Sequence, residues 1–142
     1  MSGEEGVRGV ISILLMGFGA GDRDLLSGFF ASPEWEVRDV SSCREAVQAL
    51  DEQGFGVCIC AGAMEDGDWR SVLAGFERRA DAPNLIVTSR LADERLWAEV
   101  LNLGGYDVLA QPFDRDEVLR VAFLAGAMWR RGGRLQQAHA AS

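Results

Sequence analysis

LIVTSRLADERLWAEVLNLGGYDVLAQPFDRDEVLRVA, Leu85–Ala122, changes its hydrophobic period three times, and a physical marker stands at each change. Pro83 breaks the preceding pattern, and Asn84 to Thr88 then reads as a strand. Leu91 to Leu103 follows at helical spacing, with Trp97, Val100 and Leu101 as its core side, and Gly104-Gly105 ends it. Tyr106 to Ala110 is a second short strand. Pro112 with an Asp114/Glu117 cap then opens a last helix running to about Arg131. Strands separated by helices cannot form hairpins. They lie parallel, joined by crossovers that place helices on the faces of a sheet.

The same alternation extends backwards. Val10 to Met16 is an apolar run interrupted only by Ser12, and Asp22 to Ala31 carries Leu25, Leu26, Phe29 and Phe30 at the spacing of a helix face. Trp35 to Val40 alternates like a strand open to water on one side. Ser42 with Glu45 forms a capping box for a helix to about Gln53. Gly56 to Ala61 is a short buried-type strand, and Asp66 to Asp68 start the helix that carries Trp69, Val72, Leu73 and Phe76. Five strands alternating with five helices predict a doubly wound α/β domain with a parallel sheet. Residues 8–131 form that single domain, with 1–7 and 132–142 as loose termini.

Composition narrows the function classes. At 142 residues and 48% hydrophobic, the chain is one domain with a proper core. A net charge of −8 argues against nucleic-acid binding, because Arg130, Arg131 and Arg134 make only a short basic tail. No membrane span or signal peptide is visible, which predicts a cytoplasmic protein. Cys43, Cys58 and Cys60 lack metal-ligand spacing and the lone His139 sits in the polar tail, so neither a metal nor another cofactor is expected. Cys58 and Cys60 share one strand face as small buried hydrophobes. All 14 basic residues are arginine.

The loop after the first strand holds Gly17, Gly19 and Gly21, and resembles a dinucleotide-binding fingerprint with Asp39 at the position of a ribose-binding acid. The pattern is broken at Asp22, which puts a carboxylate where the last glycine should pack helix against strand.

Leu85–Ala122, with its strand ending in Thr88, its glycine pair and its Pro-Phe before the last helix, resembles the second half of a bacterial response-regulator receiver domain. VCICAGAMEDGDW, Val57–Trp69, resembles that family's third strand and following loop, so the resemblance covers about Val10 to Arg131. It implies a flavodoxin-like sheet of order 2-1-3-4-5 and a pocket beyond the carboxyl ends of the strands. In the family that pocket carries out phosphoryl transfer. An aspartate after the third strand accepts the group, an acidic pair after the first holds Mg²⁺, and a lysine after the fifth supplies counter-charge.

Carried over residue by residue, the resemblance meets Ala61 at the acceptor, Gly17 and Phe18 at the acidic pair, and Gln111 at the lysine. Val108 stands at the switch aromatic, and Thr88 alone matches. Phe18 is expected to fill the space of the missing acids. Glu65, Asp66 and Asp68 remain as substitute acceptors or, more naturally, as helix N-terminal charges.

With one tail histidine, no nucleophile, base and orienting group can be assembled, so no enzyme is predicted. The expected function is a receiver-like signalling module of two-component type, independent of phosphorylation and acting through protein contacts. The alternatives are an unconventional phosphoacceptor using Glu65, Asp66 or Asp68, and a nucleotide or small-molecule sensor using the Gly17–Gly21 loop. Leu96 and Leu103 on the penultimate helix, with Val121, Leu124 and Met128 on the last, form apolar stripes beside the core faces. They predict a homodimer or a heteromeric partner at the last two helices, with no nucleic-acid or membrane contact.

Overall fold

The computed structural model describes residues 9–132. Strands β1 (Ile11–Met16), β2 (Trp35–Val40), β3 (Val57–Cys60), β4 (Asn84–Ser89) and β5 (Asp107–Ala110) pair in parallel in the order β2-β1-β3-β4-β5. Helices α1 (Ala20–Phe29), α2 (Cys43–Glu52), α3 (Trp69–Phe76) and α4 (Glu94–Asn102) are the crossovers, and α5 (Arg115–Gly132) follows the last strand. This is the expected α/β fold of the receiver-like, flavodoxin type. His139, Arg134, residues 1–7 and the tail beyond Gly132 lie outside the described residues. No described helix is long and apolar enough to cross a membrane.

Alternation along the strands divides the core in two. Leu14, Met16, Cys58, Cys60, Leu85 and Val87 face α2, α3 and α4, where they meet Ala46, Leu50, Trp69, Val72, Leu73, Phe76 and Val100. Their neighbours Ile13, Leu15, Val57, Ile59 and Ile86 face α1 and α5, against Leu26, Phe30, Val118, Val121, Ala122 and Ala125. Both faces of the central strands are covered, which is why these strands read as apolar runs.

The helix ends follow the capping residues. Ser42 accepts from the Glu45 amide at the start of α2, and Asp114 accepts from the Glu117 amide at the start of α5. Asp93 caps α4 through the Leu96 amide, so that helix begins at Glu94 rather than at Leu91. Its end uses both glycines. Gly104 takes φ +102°, and the Gly104 and Gly105 amides donate to the Leu101 and Val100 carbonyls at 3.2 and 2.8 Å. A Cβ on Gly105 would overlap Val100 Cγ1.

One element escaped the sequence pattern. Between β3 and α3 the chain forms a small antiparallel hairpin, Ala63–Met64 against Gly67–Asp68. Leu25, expected on the buried face of α1, is 44% exposed, and Leu26 and Phe30 take the core positions.

Candidate functional site

Because the strands are parallel, their carboxyl ends share one rim, and Gly17, Ala61, Thr88 and Gln111 gather there. Backbone bonds extend the ladders into the rim: Gly17 N–H to Val40 at 2.9 Å, Ala61 N–H to Met16 at 2.9 Å, and Gln111 N–H to Ser89 at 3.0 Å. Thr88 is buried, and its hydroxyl donates to the Cys60 carbonyl at 3.2 Å. That bond occupies the hydroxyl within the sheet.

Gly17 has φ +81°, a conformation that favours glycine, and a Cβ there would overlap Met64 Cγ while meeting Met64 Sδ at 3.2 Å and Ala61 Cβ at 3.5 Å. The hairpin thus lays the Met64 side chain over Gly17. Phe18 does not fill this space as expected. It packs edge-on against Phe113, ring centroids 6.2 Å apart, and joins the α1/α5 core, because at the end of β1 the chain turns it to that face.

The three candidate acids lie on the same hairpin segment. Asp66 accepts from the Cys43 and Arg44 amides at 2.9 and 3.1 Å, which ties the hairpin to the start of α2 and holds its carboxyl below the usual range. Asp68 caps α3. Burial pushes its pKa up, but hydrogen bonds from Ser71 and Arg70 outweigh that and leave it lowered. Glu65 is exposed in the turn between the hairpin strands.

At the other side of the rim, Gln111 donates from Nε2 to Asp22 Oδ2 at 3.2 Å, joining the end of β5 to the first turn of α1. The Gln111–Pro112 bond is cis. Asp39 pairs with Arg23 at 3.4 Å; burial raises its pKa, and Arg23 offsets part of the rise. Cys58 and Cys60 share a buried face as expected. Burial raises both thiols, Cys60 to about 12, and Cys60 Sγ donates to the Ala61 carbonyl at 2.8 Å. Among the described residues no group of three His, Cys, Asp or Glu side chains could hold a metal.

The second candidate region, the face formed by α4, β5 and α5, requires two corrections. Val121 is 3% exposed and belongs to the α1/α5 core, because it lies one turn from Val118 and Ala125 on the inward face of α5. Leu96 is partly buried against the other core, on the same side of α4 as the fully buried Val100, while Trp97 turns outward and is 50% exposed. Leu103, Leu124 and Met128 are exposed, together with Phe123.

Trp97 marks a feature the sequence left unannounced. Its indole N–H donates to Asp107 Oδ1 at 3.2 Å, and beside it a cleft of about 260 Å³ opens between α4 and α5. Ala92, Trp97, Val108 and Ala110 line it, with Asp93, Glu94 and Glu117 adding carboxylates. Val108, the switch position of the resemblance, therefore lies in the wall of this cleft. The only sequence signal for it was an excess of acids around a tryptophan at the start of α4.

The model of the family described as response regulator receiver domain matches residues 21–123. Solved structures agree in fold. The signal receiver domain of an HD domain-containing protein from Pseudomonas fluorescens Pf-5 superposes with a TM-score of 0.78 at 20% identity, covering 88% of this chain and 93% of that one. The Francisella response regulator 1452 receiver domain gives 0.74 at 18%, covering 85% and 98%. The receiver domain of Ssk1, in a co-crystal of the Saccharomyces cerevisiae histidine phosphotransfer protein Ypd1 with that domain, is among the matches at 0.72 and 13%, covering 83% and 90%. No curated protein matches the chain in sequence.

Proposed function

The chain belongs to the response regulator receiver domain family, and from that premise we propose that it is a phosphorylation-independent signalling module of two-component type, acting through protein contacts in the cytoplasm. The observation that carries this reading is the packing of Met64 over Gly17 beside Ala61. Phosphoryl transfer to a receiver needs an acceptor carboxylate, hard oxygen ligands for a divalent cation and a fixed positive charge. At the positions the family resemblance assigns to them stand a methyl group, a glycine under a thioether, a phenylalanine turned into the core, and a glutamine bound to Asp22. Asp66 and Asp68 are engaged as caps: each oxygen of Asp66 accepts a backbone N–H at the start of α2, and Asp68 accepts two backbone N–H groups on Oδ1 while Oδ2 pairs with the Arg70 guanidinium.

With the rim filled, the work passes to the α4–β5–α5 face, where Trp97, Leu103, Leu124 and Met128 expose apolar surface. The partner is a second copy or another protein. Incubation with acetyl phosphate and Mg²⁺ tests the reading: intact mass is expected to stay unchanged, and beryllofluoride to leave the backbone amide spectrum unaltered. A mass increase of one phosphate, mapped near the strand ends, would overturn it. For the contact itself, light scattering on the Leu103→Asp/Leu124→Asp variant should report a folded protomer, dissociated from its partner or copy.

A further inference from the structure

We infer that the cleft between α4 and α5 receives an arginine or lysine side chain from a basic, apolar-flanked peptide segment of another protein. The inference rests on the α4–β5–α5 face being the contact surface. At about 260 Å³ the cleft lies below the roughly 300–1,000 Å³ of small-molecule pockets, a size suited to one side chain rather than a nucleotide. Its chemistry is one-signed. Asp93, Glu94 and Glu117 line it with carboxylates and no arginine does, while Val108, Ala110 and Ala92 supply apolar wall.

Trp97 gives the selectivity. It is half exposed, and its indole nitrogen is anchored on Asp107, so the ring is held in place. A cation over an indole face, near carboxylates and partly desolvated, is attracted by the ring quadrupole as well as by charge. A rigid tryptophan of this kind is the residue type on which contact energy concentrates. Leu91, 80% exposed and next to Ala92 of the wall, extends the surface for apolar residues flanking the basic one. A second copy is the weaker occupant. A two-fold contact centred on the cleft would set carboxylates against carboxylates in a chain of net charge −8.

Panning a display library of random dodecapeptides against the full chain tests this directly. Expected is enrichment of peptides with an arginine or lysine between apolar residues, shifting the Trp97 indole, Val108 and Ala110 resonances. Their affinity should fall at least tenfold with Trp97→Ala or Glu94→Gln/Glu117→Gln, and fall with added salt. The charge-neutral pair guards against a folding defect in the tryptophan variant. Enrichment of neutral or acidic peptides, binding indifferent to these variants, or no peptide at the cleft overturns the inference. So does free agmatine binding as tightly as the peptides, which would make the cleft a small-cation site. Repeating the titration after acetyl phosphate treatment separates the two readings: phosphorylation of the chain would sink the proposed function while leaving the peptide result standing.

Discussion

The rim at the strand ends and the α4–α5 face present opposite uses of the same residue types. At the rim, polar groups are occupied by hydrogen bonds within the chain. Thr88 binds a carbonyl, Gln111 binds Asp22, Asp66 and Asp68 hold helix amides, and Met64 covers the remaining space. On the α4–α5 face, apolar and acidic side chains stand out in solvent around a cleft, with Trp97, Leu124 and Met128 uncovered. Polar groups already bonded to one another gain little from a ligand, whereas exposed apolar surface gains on being buried, by about 25 cal/mol per Å² before association costs. Under the proposed function, that difference assigns stability to one region and recognition to the other.

Two substitutions three residues apart on α5 test that division most strongly. Val121→Asp buries a carboxylate in the α1/α5 core, where Val121 is 3% exposed, and should cost at least about 4 kcal/mol. Leu124→Asp, at 45% exposure, should cost under about 1 kcal/mol. Urea unfolding of both variants decides it. Equal losses would mean the face is core, and the contrast between the regions would collapse.

The next effect concerns the rim. Gly17→Asp should destabilise the domain by roughly 2–5 kcal/mol, combining left-handed backbone strain of about 1–2 with overpacking of about 1–3. The obstacle has a name. In the Gly17→Asp background, Met64→Ala should recover much of the overpacking loss but none of the backbone strain. If the double variant is no more stable than the single one, Met64 is not what closes the rim.

The fold was legible because strand and helix periods alternate between clear breaks at Pro83, Gly104-Gly105 and Pro112. Phase around a helix was not. Leu96, Trp97, Val100, Leu101 and Leu103 are all apolar, so several rotations of α4 satisfy the pattern, and only packing against β4 and β5 selects the one that buries Leu96 and exposes Trp97. Val121 was lost to the same ambiguity on α5. The rim residues were found through family resemblance, yet their contacts were hidden. Gln111 and Asp22 are 89 positions apart, and nothing local indicates that the hairpin carries Met64 over Gly17. Such links depend on the finished topology.

Asp68 probes the hairpin more gently. Its carboxylate accepts the Arg70 and Ser71 amides at 3.0 and 3.2 Å, so Asp68→Ala should cost about 1 kcal/mol and Asp68→Asn much less. Its folded pKa lies below the ordinary 3.8, so its charge-dependent contribution is present above that value and fades as pH falls further. Thermal unfolding of the three proteins at neutral pH gives the ranking. An unchanged Asp68→Ala midpoint would mean that the hairpin and α3 do not depend on this cap.

The smallest expected effect lies between the two regions, where Arg70 of α3 holds Glu99 of α4 through two bonds of 2.7 Å and stacks on Trp69 at 4.5 Å. Both side chains are substantially exposed, so solvent and salt screen the pair, and Glu99→Gln should lower the unfolding midpoint by less than Asp68→Ala does. The pH dependence identifies the cause. The Arg70 guanidinium holds the Glu99 carboxyl below its ordinary 4.5, so in the unfolded chain the group takes up its proton at higher pH than in the folded one. Its contribution is therefore fully present above 4.5 and is lost as pH falls through the lower folded value. The stability difference between the native chain and Glu99→Gln should stay level from neutral pH down to about that point, shrink below it, and shrink also at molar salt. A difference that persists unchanged in acid and in salt would assign the Arg70–Glu99 contact to side-chain packing. The tie between α3 and the α4–α5 face would then be steric, and insensitive to the charge of whatever binds beside it.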